Sequence, residues 1–543
     1  MDALLRRTLG LTGLLFVGAL APTAWAQTTP GTVQDTLKPP PELQRPTESP
    51  VVAPPRSRPQ PPPSDRTLVV QRFIFGGNSV FSNEQLATVV AEYQGRPITL
   101  LEIYDAADRI ADLYVSNGYT LASVSVPAQR VSDGTVRLEV IEGRYGEVMV
   151  EGNESYEAAH LKRYLGEIPF GGLYRVGELE EGMRELNKLP GLQAKAILRP
   201  GSIYGTSDVV IQADETRVAG AFVVDNYGRE NIGEMRWSAS VQINNPTHSA
   251  DQLQLLGLRS EDGRLNYGYV AYSLPLNHSG VRAIASYGHA DFEIPENNLE
   301  GSNENSRLQV NFPVFAGDGA SLRLMPAVSR TESTVDLFGN PTALGTSITL
   351  AELGAVYNRQ YENLAVTQVN AEISSNFQNA TAIDRNAQRF KLEIDSQHLQ
   401  PIGKGLLAFV RLHGVYSDDP LPDTERFSIG GPNSVRGYPA SEIRGDRGLF
   451  GTLSLRRPFR LGDARMQGRV FFDTGKAWLR GLPPGSPDED SLSSIGIGLD
   501  ASLKGNINLK LDWAFPRDDD PGTREVSDNK VNSRVFGSLT VGF

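Results

Sequence analysis

The segment with the clearest capacity for chemistry is a short loop that carries one arginine. It runs from Gly430 to Tyr438 with the sequence GGPNSVRGY, between strand-forming stretches. Two glycines followed by a proline allow backbone angles that other residues avoid, so the pattern predicts a shaped loop rather than a strand. Arg436 lies near the tip of this loop and offers a planar, permanently charged fork that suits a carboxylate.

A carboxylate that could pair with Arg436 follows in the run FFDTG. Residues alternate in this stretch, with Arg469, Phe471, Asp473 and Gly475 in one phase and Val470 and Phe472 in the other. If the stretch is a strand, Asp473 points to the polar side. The predicted chemistry is therefore a charge-assisted ion pair. The alternatives are an Asp473 that only lines a water-filled channel and an Arg436 that is a solvated surface residue.

The sequence offers no second kind of reactive site. It has no cysteine, which excludes disulfides, thiol catalysis and thiolate metal sites. There is no phosphate-binding glycine loop, and Ser428 and Ser434 do not form a nucleophile elbow. We predict neither catalysis nor a cofactor, and the net charge of −12 argues against nucleic acid as a partner. The histidines lack metal-ligand spacing; they are His160, His248, His278, His289, His398 and His413.

The N-terminus has the layout of an export signal. Two arginines precede a short apolar stretch from Leu9 to Leu20, and Ala24-Trp25-Ala26 is a small-x-small cleavage site. Residues 1–26 are therefore predicted to be a signal peptide. A membrane anchor is the alternative, but it would need an apolar run of about 20 residues.

Residues 27–66 are rich in proline, threonine and glutamine. Such a composition cannot build a core, so the stretch is predicted to be an extended, mobile linker. A ligand for a proline-binding domain is the alternative.

Residues 67–142, the first unit, and 143–216, the second unit, each combine short strands with two amphipathic helices. Both show the order strand, helix, helix, strand, strand, and each small sheet leaves an edge that suits peptide capture by strand addition. The first unit is predicted to have a strand at Leu68–Phe75, a helix capped by Ser82 and reaching Tyr93, a helix at Leu101–Asn117, and strands at Leu121–Val126 and Thr135–Ile141. The second is predicted to have a strand at Glu147–Val150, helices at Ala158–Leu165 and Val176–Leu189, and strands at Gln193–Leu198 and Asp208–Gln212.

From residue 217 to residue 543 the helix patterns give way to a series of alternating segments. Trp237, Ala239 and Val241 share one phase of such a segment, whereas the residues between them are polar. One apolar and one polar face predict a transmembrane β-barrel; a soluble β-sandwich also alternates and is the alternative. We count about sixteen segments, an even number, as in single-chain bacterial barrels. They begin near residues 218, 234, 251, 265, 281, 305, 320, 347, 361, 388, 405, 446, 464, 491, 505 and 531.

With these parts in this order, the mature chain resembles the transporter subunits of two-partner secretion systems. These are the haemolysin and adhesin translocators, which are related to barrel-assembly insertases. Val435-Arg436-Gly437-Tyr438 resembles the motif at the tip of the family's sixth extracellular loop and lies between segments eleven and twelve. Phe471-x-Asp473-x-Gly475 resembles the barrel-wall motif on segment thirteen. The terminal Phe543 resembles the barrel assembly signal, and a set of residues resembles the first periplasmic (POTRA) domain and its junction with the second: Tyr114, Gly118, Tyr119, Pro127, Gln129, Gly134, Glu142 and Gly143.

The resemblance implies an outer-membrane location in a Gram-negative cell, with the POTRA domains in the periplasm. It implies that the sixth loop folds into the barrel so that Arg436 contacts Asp473. The implied partners are an unfolded secreted exoprotein captured by the POTRA domains, outer-membrane lipid, and the barrel-assembly machinery. The N-terminal plug helix of some family members is not expected here, because residues 27–64 contain too many prolines. An insertase for membrane proteins and a simple porin are the alternative functions.

Overall fold

The computed structural model of the chain describes residues 51–52, 66–131, 133–295, 298–317, 319–337, 339–341, 345–377, 389–480, 488–504, 506–517 and 532–543. These residues form two compact bodies that meet in the sequence between Thr216 and Arg217. The predicted signal peptide and most of the predicted linker lie outside the described residues. Within the described ranges, no helix combines the length and the apolarity needed to cross a membrane.

The first body contains two units. The second shows the predicted order of strand, helix, helix, strand, strand, whereas the first has an additional short strand, Pro97–Thr99, between its two helices. The first unit comprises β2 (Thr67–Val69), β3 (Arg72–Gly76), α1 (Asn83–Val89), a 3-10 turn (Ala91–Tyr93), β4 (Pro97–Thr99), α2 (Leu100–Ser116), β5 (Ser123–Ser125) and β6 (Thr135–Ile141). The second comprises β7 (Arg144–Glu151), α3 (Ala158–Arg163), α4 (Val176–Leu186), β8 (Leu192–Pro200) and β9 (Thr206–Glu215). A short strand upstream, β1 (Val51–Val52), pairs with the second unit.

Local sequence explains where the helices of the first unit begin. Ser82 with Gln85, and Thr99 with Glu102, form capping boxes at the starts of α1 and α2. The buried side of α2 follows helical spacing and packs against the sheet with order β3-β6-β5; it consists of Ile103, Ala106, Ala107, Ile110, Ala111 and Tyr114.

Three predicted elements differ from the structure. The strand expected at Leu68–Phe75 is interrupted because Val70 turns into the core and its carbonyl accepts a hydrogen bond from the amide of Gly95. The first helix ends at Val89 and continues as a separate 3-10 turn. The linker prediction is wrong at Val51–Val52, since these residues form a parallel strand beside Ala196 and Ile197 of β8.

The second body is a closed antiparallel barrel of sixteen strands, which confirms the predicted fold class. Several strands are fifteen residues long. The two-residue β17 (Asn340–Pro341) pairs only with the end of the preceding strand, Ala320–Leu337. The strands are β10 (Val218–Asp225), β11 (Arg236–Asn244), β12 (Gln252–Ser260), β13 (Leu265–Pro275), β14 (Arg282–Ile294), β15 (Leu299–Gly317), β16 (Ala320–Leu337), β18 (Thr346–Gln360), β19 (Val366–Asn376), β20 (Phe390–Gly403), β21 (Leu406–Ser417), β24 (Arg447–Leu461), β25 (Ala464–Trp478), β26 (Glu489–Leu503), β27 (Ile507–Pro516) and β28 (Arg534–Gly542).

Alternation along the strands separates the two faces of the barrel. Trp237 and Trp513 are 44% and 45% exposed on the outside, whereas Asp512 beside Trp513 is 1% exposed in the interior. Backbone groups pair along every strand, which a membrane interior requires. Each predicted segment corresponds to one strand; the largest displacement is at the sixth, expected near 305 and beginning at Leu299.

The barrel closes where β28 meets β10. Five residue pairs, from Ala221 with Gly542 to Asp225 with Ser538, join the two strands. The terminal Phe543 continues this pairing, because its amide and carbonyl both bond to Gly220 at 3.0 Å. The predicted assembly-signal residue therefore lies on the seam of the barrel, with its side chain 69% exposed.

Residues 418–446, here called the sixth loop, connect β21 and β24. Part of this loop forms a hairpin-like pair, β22 (Phe427–Ile429) and β23 (Ile443–Gly445), which packs against the inner side of β24, β25 and β26. Its apolar side chains join those of the wall in one buried cluster: Val415, Leu421, Phe427, Ile429, Val435, Tyr438, Ile443, Phe450, Ala477 and Leu492. The loop thus packs inside the barrel.

Candidate functional site

The structure brings Arg436 of the sixth loop and Asp473 of the barrel wall together. The guanidinium Nε lies 2.7 Å from one carboxylate oxygen and Nη2 lies 2.8 Å from the other, a bidentate pair. The backbone amide of Arg436 also donates to this carboxylate at 3.2 Å. Asp473 is completely buried and Arg436 is 8% exposed. The hydroxyl of Thr452 donates to Asp473 at 2.7 Å.

The spacing of the wall motif has a physical reason. In a strand, residues two apart point to the same side, and Phe471, Asp473 and Gly475 all face the loop. The guanidinium carbon of Arg436 lies 3.3 Å from the centre of the Phe471 ring, so the cation rests on the ring face while its fork binds Asp473. At Gly475, a Cβ atom would come within 3.0 Å of Ile429, so the missing side chain leaves room for β22.

Each residue of the loop motif also has a defined place. Val435 is completely buried in the apolar cluster. Gly437 has a φ of 98°, a value that favours glycine, and its α-carbon faces Pro516. The hydroxyl of Tyr438 donates to the carbonyl of Ser493 at 3.0 Å. The motif therefore contacts three wall strands, β25, β26 and β27.

The ion pair belongs to a larger cluster that sequence reasoning missed. Asp512 on β27 lies 3.4 Å from Nη1 of Arg436 and 2.7 Å from Nη2 of Arg469, so one carboxylate links two arginines. Arg469 also pairs with Asp500. The sequence signal for Asp512 was available, because it alternates with Leu511 and Trp513 in the polar phase of its strand.

A second buried ion pair anchors the loop at another point. Lys391 on β20 places its Nζ 2.5 Å from Glu425 of the loop, and both side chains are 5% exposed. Nearby, the side chain of Arg389 donates to the carbonyl of Pro420. Nothing in the local sequence of Lys391 indicated this role, since the two partners are separated by a whole strand and part of the loop.

Two further arginines hold the loop backbone. Arg411 on β21 donates to the carbonyl of Asn433 at 2.7 Å, and its guanidinium pairs with Asp395 at the same distance. Arg229, in the segment after β10, donates to the carbonyls of Ala440 and Ser441. The sixth loop is thus fixed at its beginning, at its tip and on its return.

The POTRA-like residues Tyr114 and Glu142 meet in the interior of the first unit. The Tyr114 hydroxyl donates to Glu142 at 3.0 Å, and the amide of Val80 donates to the same oxygen at 2.7 Å. Ser79 donates to Glu142 through its amide and its hydroxyl. Burial acts to raise the pKa of Glu142, but these hydrogen bonds outweigh it and hold the pKa below its usual value. Burial, then the bond to Glu142, raises the pKa of Tyr114.

The other residues of that set shape the first unit and its connection to the second. The carbonyl of Gly118 accepts the amide of Val176, and the hydroxyl of Tyr119 accepts Arg175 at 2.8 Å. Both bonds join the end of α2 to the start of α4. Gln129 bonds to the carbonyl of Pro127 and to the backbone of β6. The carbonyl of Gly134 accepts the amide of Gln71, and the carbonyl of Gly143 accepts the amide of Tyr174.

Comparison with known proteins decides the family. A profile described as haemolysin secretion/activation protein ShlB/FhaC/HecB matches residues 205–501, and the ShlB-type POTRA domain profile matches residues 68–143. The chain belongs to the ShlB/FhaC/HecB family. The heme/hemopexin transporter protein HuxB of Haemophilus influenzae (strain 86-028NP) is 20% identical over 470 residues, covering 81% of this chain and 82% of HuxB. The hemolysin transporter protein ShlB of Serratia marcescens is 26% identical over 421 residues, 72% of each chain.

A solved structure supports the same fold for this ShlB/FhaC/HecB family member. CdiB from Escherichia coli has a TM-score of 0.65 and 20% identity, covering 89% of this chain and 93% of CdiB. By its family, the chain is an outer-membrane transporter of the two-partner secretion type, with POTRA architecture on the periplasmic side. The family membership predicted from the sequence is confirmed.

Proposed function

We propose that the first and second units, 67–142 and 143–216, capture an unfolded exoprotein in the periplasm and that the barrel, 217–543, passes it outward. The sixth loop keeps the barrel in its conducting architecture. The observation that carries this role is the docking of Arg436 on Asp473. An arginine is costly to bury in a barrel lumen unless its charge and its donors are matched, and here a carboxylate, an aromatic ring and a second carboxylate match it.

Open strand edges support capture by the two units. Within the described residues, β3 is hydrogen-bonded to a neighbouring strand on one side, through its pairing with β6. In the second unit, Val51–Val52 pairs with β8 as an added parallel strand, an example within this chain of the pairing proposed for the exoprotein. Main-chain pairing of this kind gives affinity for extended segments without requiring one particular sequence.

The transported protein is proposed only as a class. The names of the relatives point to different cargoes, heme/hemopexin for HuxB and hemolysin for ShlB, so sequence identity of 20% to 26% does not transfer either one. We propose a large haemolysin- or adhesin-type exoprotein that folds outside the cell. Its folding there would drive export, so the transporter itself acts without catalysis or cofactor. Outer-membrane lipid surrounds the barrel, and the barrel-assembly machinery inserts it through the signal that ends at Phe543.

The test measures secretion of the exoprotein encoded by the adjacent gene. Cells carry the wild-type chain, Arg436→Ala, or the control Arg330→Ala, whose ion pair with Glu332 is exposed at the surface. Heat-modifiable migration reports the amount of folded barrel. We expect Arg436→Ala to abolish secretion with the barrel intact and Arg330→Ala to secrete normally. Normal secretion by Arg436→Ala would contradict the role of the loop, and no secretion with the wild-type chain would contradict the transport of this exoprotein.

A second experiment addresses capture. Deletion of 67–142 removes the first unit, and binding of the denatured exoprotein is then compared with that of the full chain by co-purification. We expect binding to be lost while the barrel still migrates as a folded species. Undiminished binding by the shortened chain would refute the assignment of capture to this unit.

A further inference from the structure

The lumen of the barrel has two unlike walls. Most anchors of the sixth loop lie on one arc of the barrel, here called the loop-bearing wall: Lys391 of β20, Arg411 of β21, Asp473 of β25, Ser493 of β26 and Asp512 of β27. Arg229, in the segment after β10, adds one more anchor. In a closed barrel of sixteen strands, the third strand faces the eleventh across the lumen. The strands across from β20, β21 and β24, the first part of the loop-bearing wall, are therefore β11, β12 and β13.

These three strands present a surface almost without charge, here called the neutral wall. In their lumen-facing phase, Arg236 is the only acidic or basic residue, and it is paired with Asp225 at 2.8 Å at the end of its strand. The rest of this face is made of hydroxyl, amide, tyrosine and small apolar side chains. Representative members are Ser240, Gln242, Gln254, Leu256 and Tyr269, all partly exposed to the lumen.

The loop-bearing wall, in contrast, carries many charged side chains and binds the sixth loop. Several of its ionic side chains are buried in pairs with each other or with the loop, as in the pairs of Arg469 with Asp512 and of Lys391 with Glu425. A passing chain that used this wall would have to displace the loop and break these pairs. It would also meet charges of both signs, which would retain acidic or basic segments of the cargo.

We propose that the exported polypeptide passes as an extended chain along the neutral wall while the sixth loop stays docked on the opposite side. This inference rests on the proposed function. Serine and glutamine side chains can both donate to and accept from the main chain of any sequence. An uncharged surface holds neither acidic nor basic segments strongly. The neutral wall therefore fits a partner defined only by an exposed polypeptide backbone.

The test uses the absence of cysteine from the natural chain. Single cysteines are placed on the neutral wall as Ser240→Cys and Gln254→Cys. Gln467→Cys serves as a control in the lumen-facing phase of β25, and Val241→Cys as a control on the outer face. The adjacent-gene exoprotein carries one cysteine and a C-terminal domain that folds before export, so that it stalls in the barrel. Disulfide adducts are then counted after mild oxidation.

We expect adducts at Ser240→Cys and Gln254→Cys to exceed those at Gln467→Cys several-fold, with only background at Val241→Cys. Adducts that are as abundant at Gln467→Cys would overturn the route while leaving the export function intact. A stalled exoprotein that forms no adduct at any lumen-facing position would overturn both the route and the proposed passage through the barrel.

Charge substitutions give an independent readout. Gln254→Lys and Gln254→Glu each place a charge on the neutral wall, and Gln467→Lys and Gln467→Glu are the matched variants on the other side. We expect both Gln254 variants to slow secretion several-fold and both Gln467 variants to leave it near the wild-type rate, with equal amounts of heat-modifiable barrel. Equal secretion rates for all four variants would contradict the proposal.

Discussion

Replacement of Arg436 by methionine is expected to undock the tip of the sixth loop. The change removes both guanidinium bonds, at 2.7 and 2.8 Å, and leaves Asp473 completely buried with the Thr452 hydroxyl as its remaining side-chain donor. Removing one partner of a buried ion pair costs about 3–5 kcal/mol, because the other charge is left uncompensated. Since about 1.4 kcal/mol is a factor of ten, the docking equilibrium should shift by roughly 10²- to 10⁴-fold.

A double-mutant cycle separates the effect of the uncompensated charge from the effect of lost packing. Asp473→Leu should cost less than Arg436→Met, because Arg436 keeps Asp512 at 3.4 Å. The double variant Arg436→Met/Asp473→Leu should be docked better than Arg436→Met alone, because it no longer buries an unpaired carboxylate. If charge compensation were unimportant, the free-energy costs of the two single substitutions would add up to that of the double variant.

Hydrogen exchange of the backbone amides in the sixth loop measures docking directly, with the protein in lipid nanodiscs. The amides of Gly430, Arg436 and Ser441 are bonded within the loop or to Asp473, so they should exchange faster in Arg436→Met. The control Arg330→Met removes an exposed pair and should change stability by no more than about 0.5 kcal/mol. Unchanged exchange in Arg436→Met, or equal exchange in the single and double variants, would refute the reasoning.

Three further results are expected. Lys391→Met should expose the start of the sixth loop to external protease, because it leaves Glu425 buried and unpaired at a cost of about 3–5 kcal/mol, and Lys391→Met/Glu425→Leu should restore most of the protection. The depressed pKa of Glu142 stabilises the first unit above its unfolded pKa of about 4.3, so the protection factors of its amides should fall as the pH drops below that value, and Glu142→Gln should flatten this dependence. Gly220→Val should reduce the heat-modifiable form, because a Cβ would lie 2.3 Å from the ring of Phe543.

The barrel was predictable because alternation carries its information locally. A polar residue between two apolar ones, such as Asp512 between Leu511 and Trp513, fixes which face is inside without any knowledge of the neighbouring strand. The contact of Asp473 with Arg436 was predicted only through the family resemblance of the two motifs. Strand ends were less well predicted, as at Leu299, because polar residues continue the strand beyond the apolar band.

The remaining contacts could not be predicted from the sequence. Alternation along a strand shows that a side chain faces the lumen, but it does not show which residue lies across from it. Lys391 and Glu425 meet only after the loop has folded inward, and neither sits in a distinctive local pattern. The pairing of Val51 and Val52 with β8 was hidden for a different reason. Proline-rich flanks dominate the composition of this stretch, whereas strand addition depends on a partner edge more than one hundred residues away.

The energetics of the loop bear on how export can proceed without a nucleotide. Folding of the exported protein outside the cell would supply about 5–15 kcal/mol per domain. Undocking the sixth loop would separate the buried pairs at Asp473 and at Glu425 and expose its apolar cluster, so it would cost free energy. Release of the loop at every passage would therefore oppose part of this driving force until the loop docks again. A route along the neutral wall leaves both pairs formed, so the same driving force remains available to move the polypeptide.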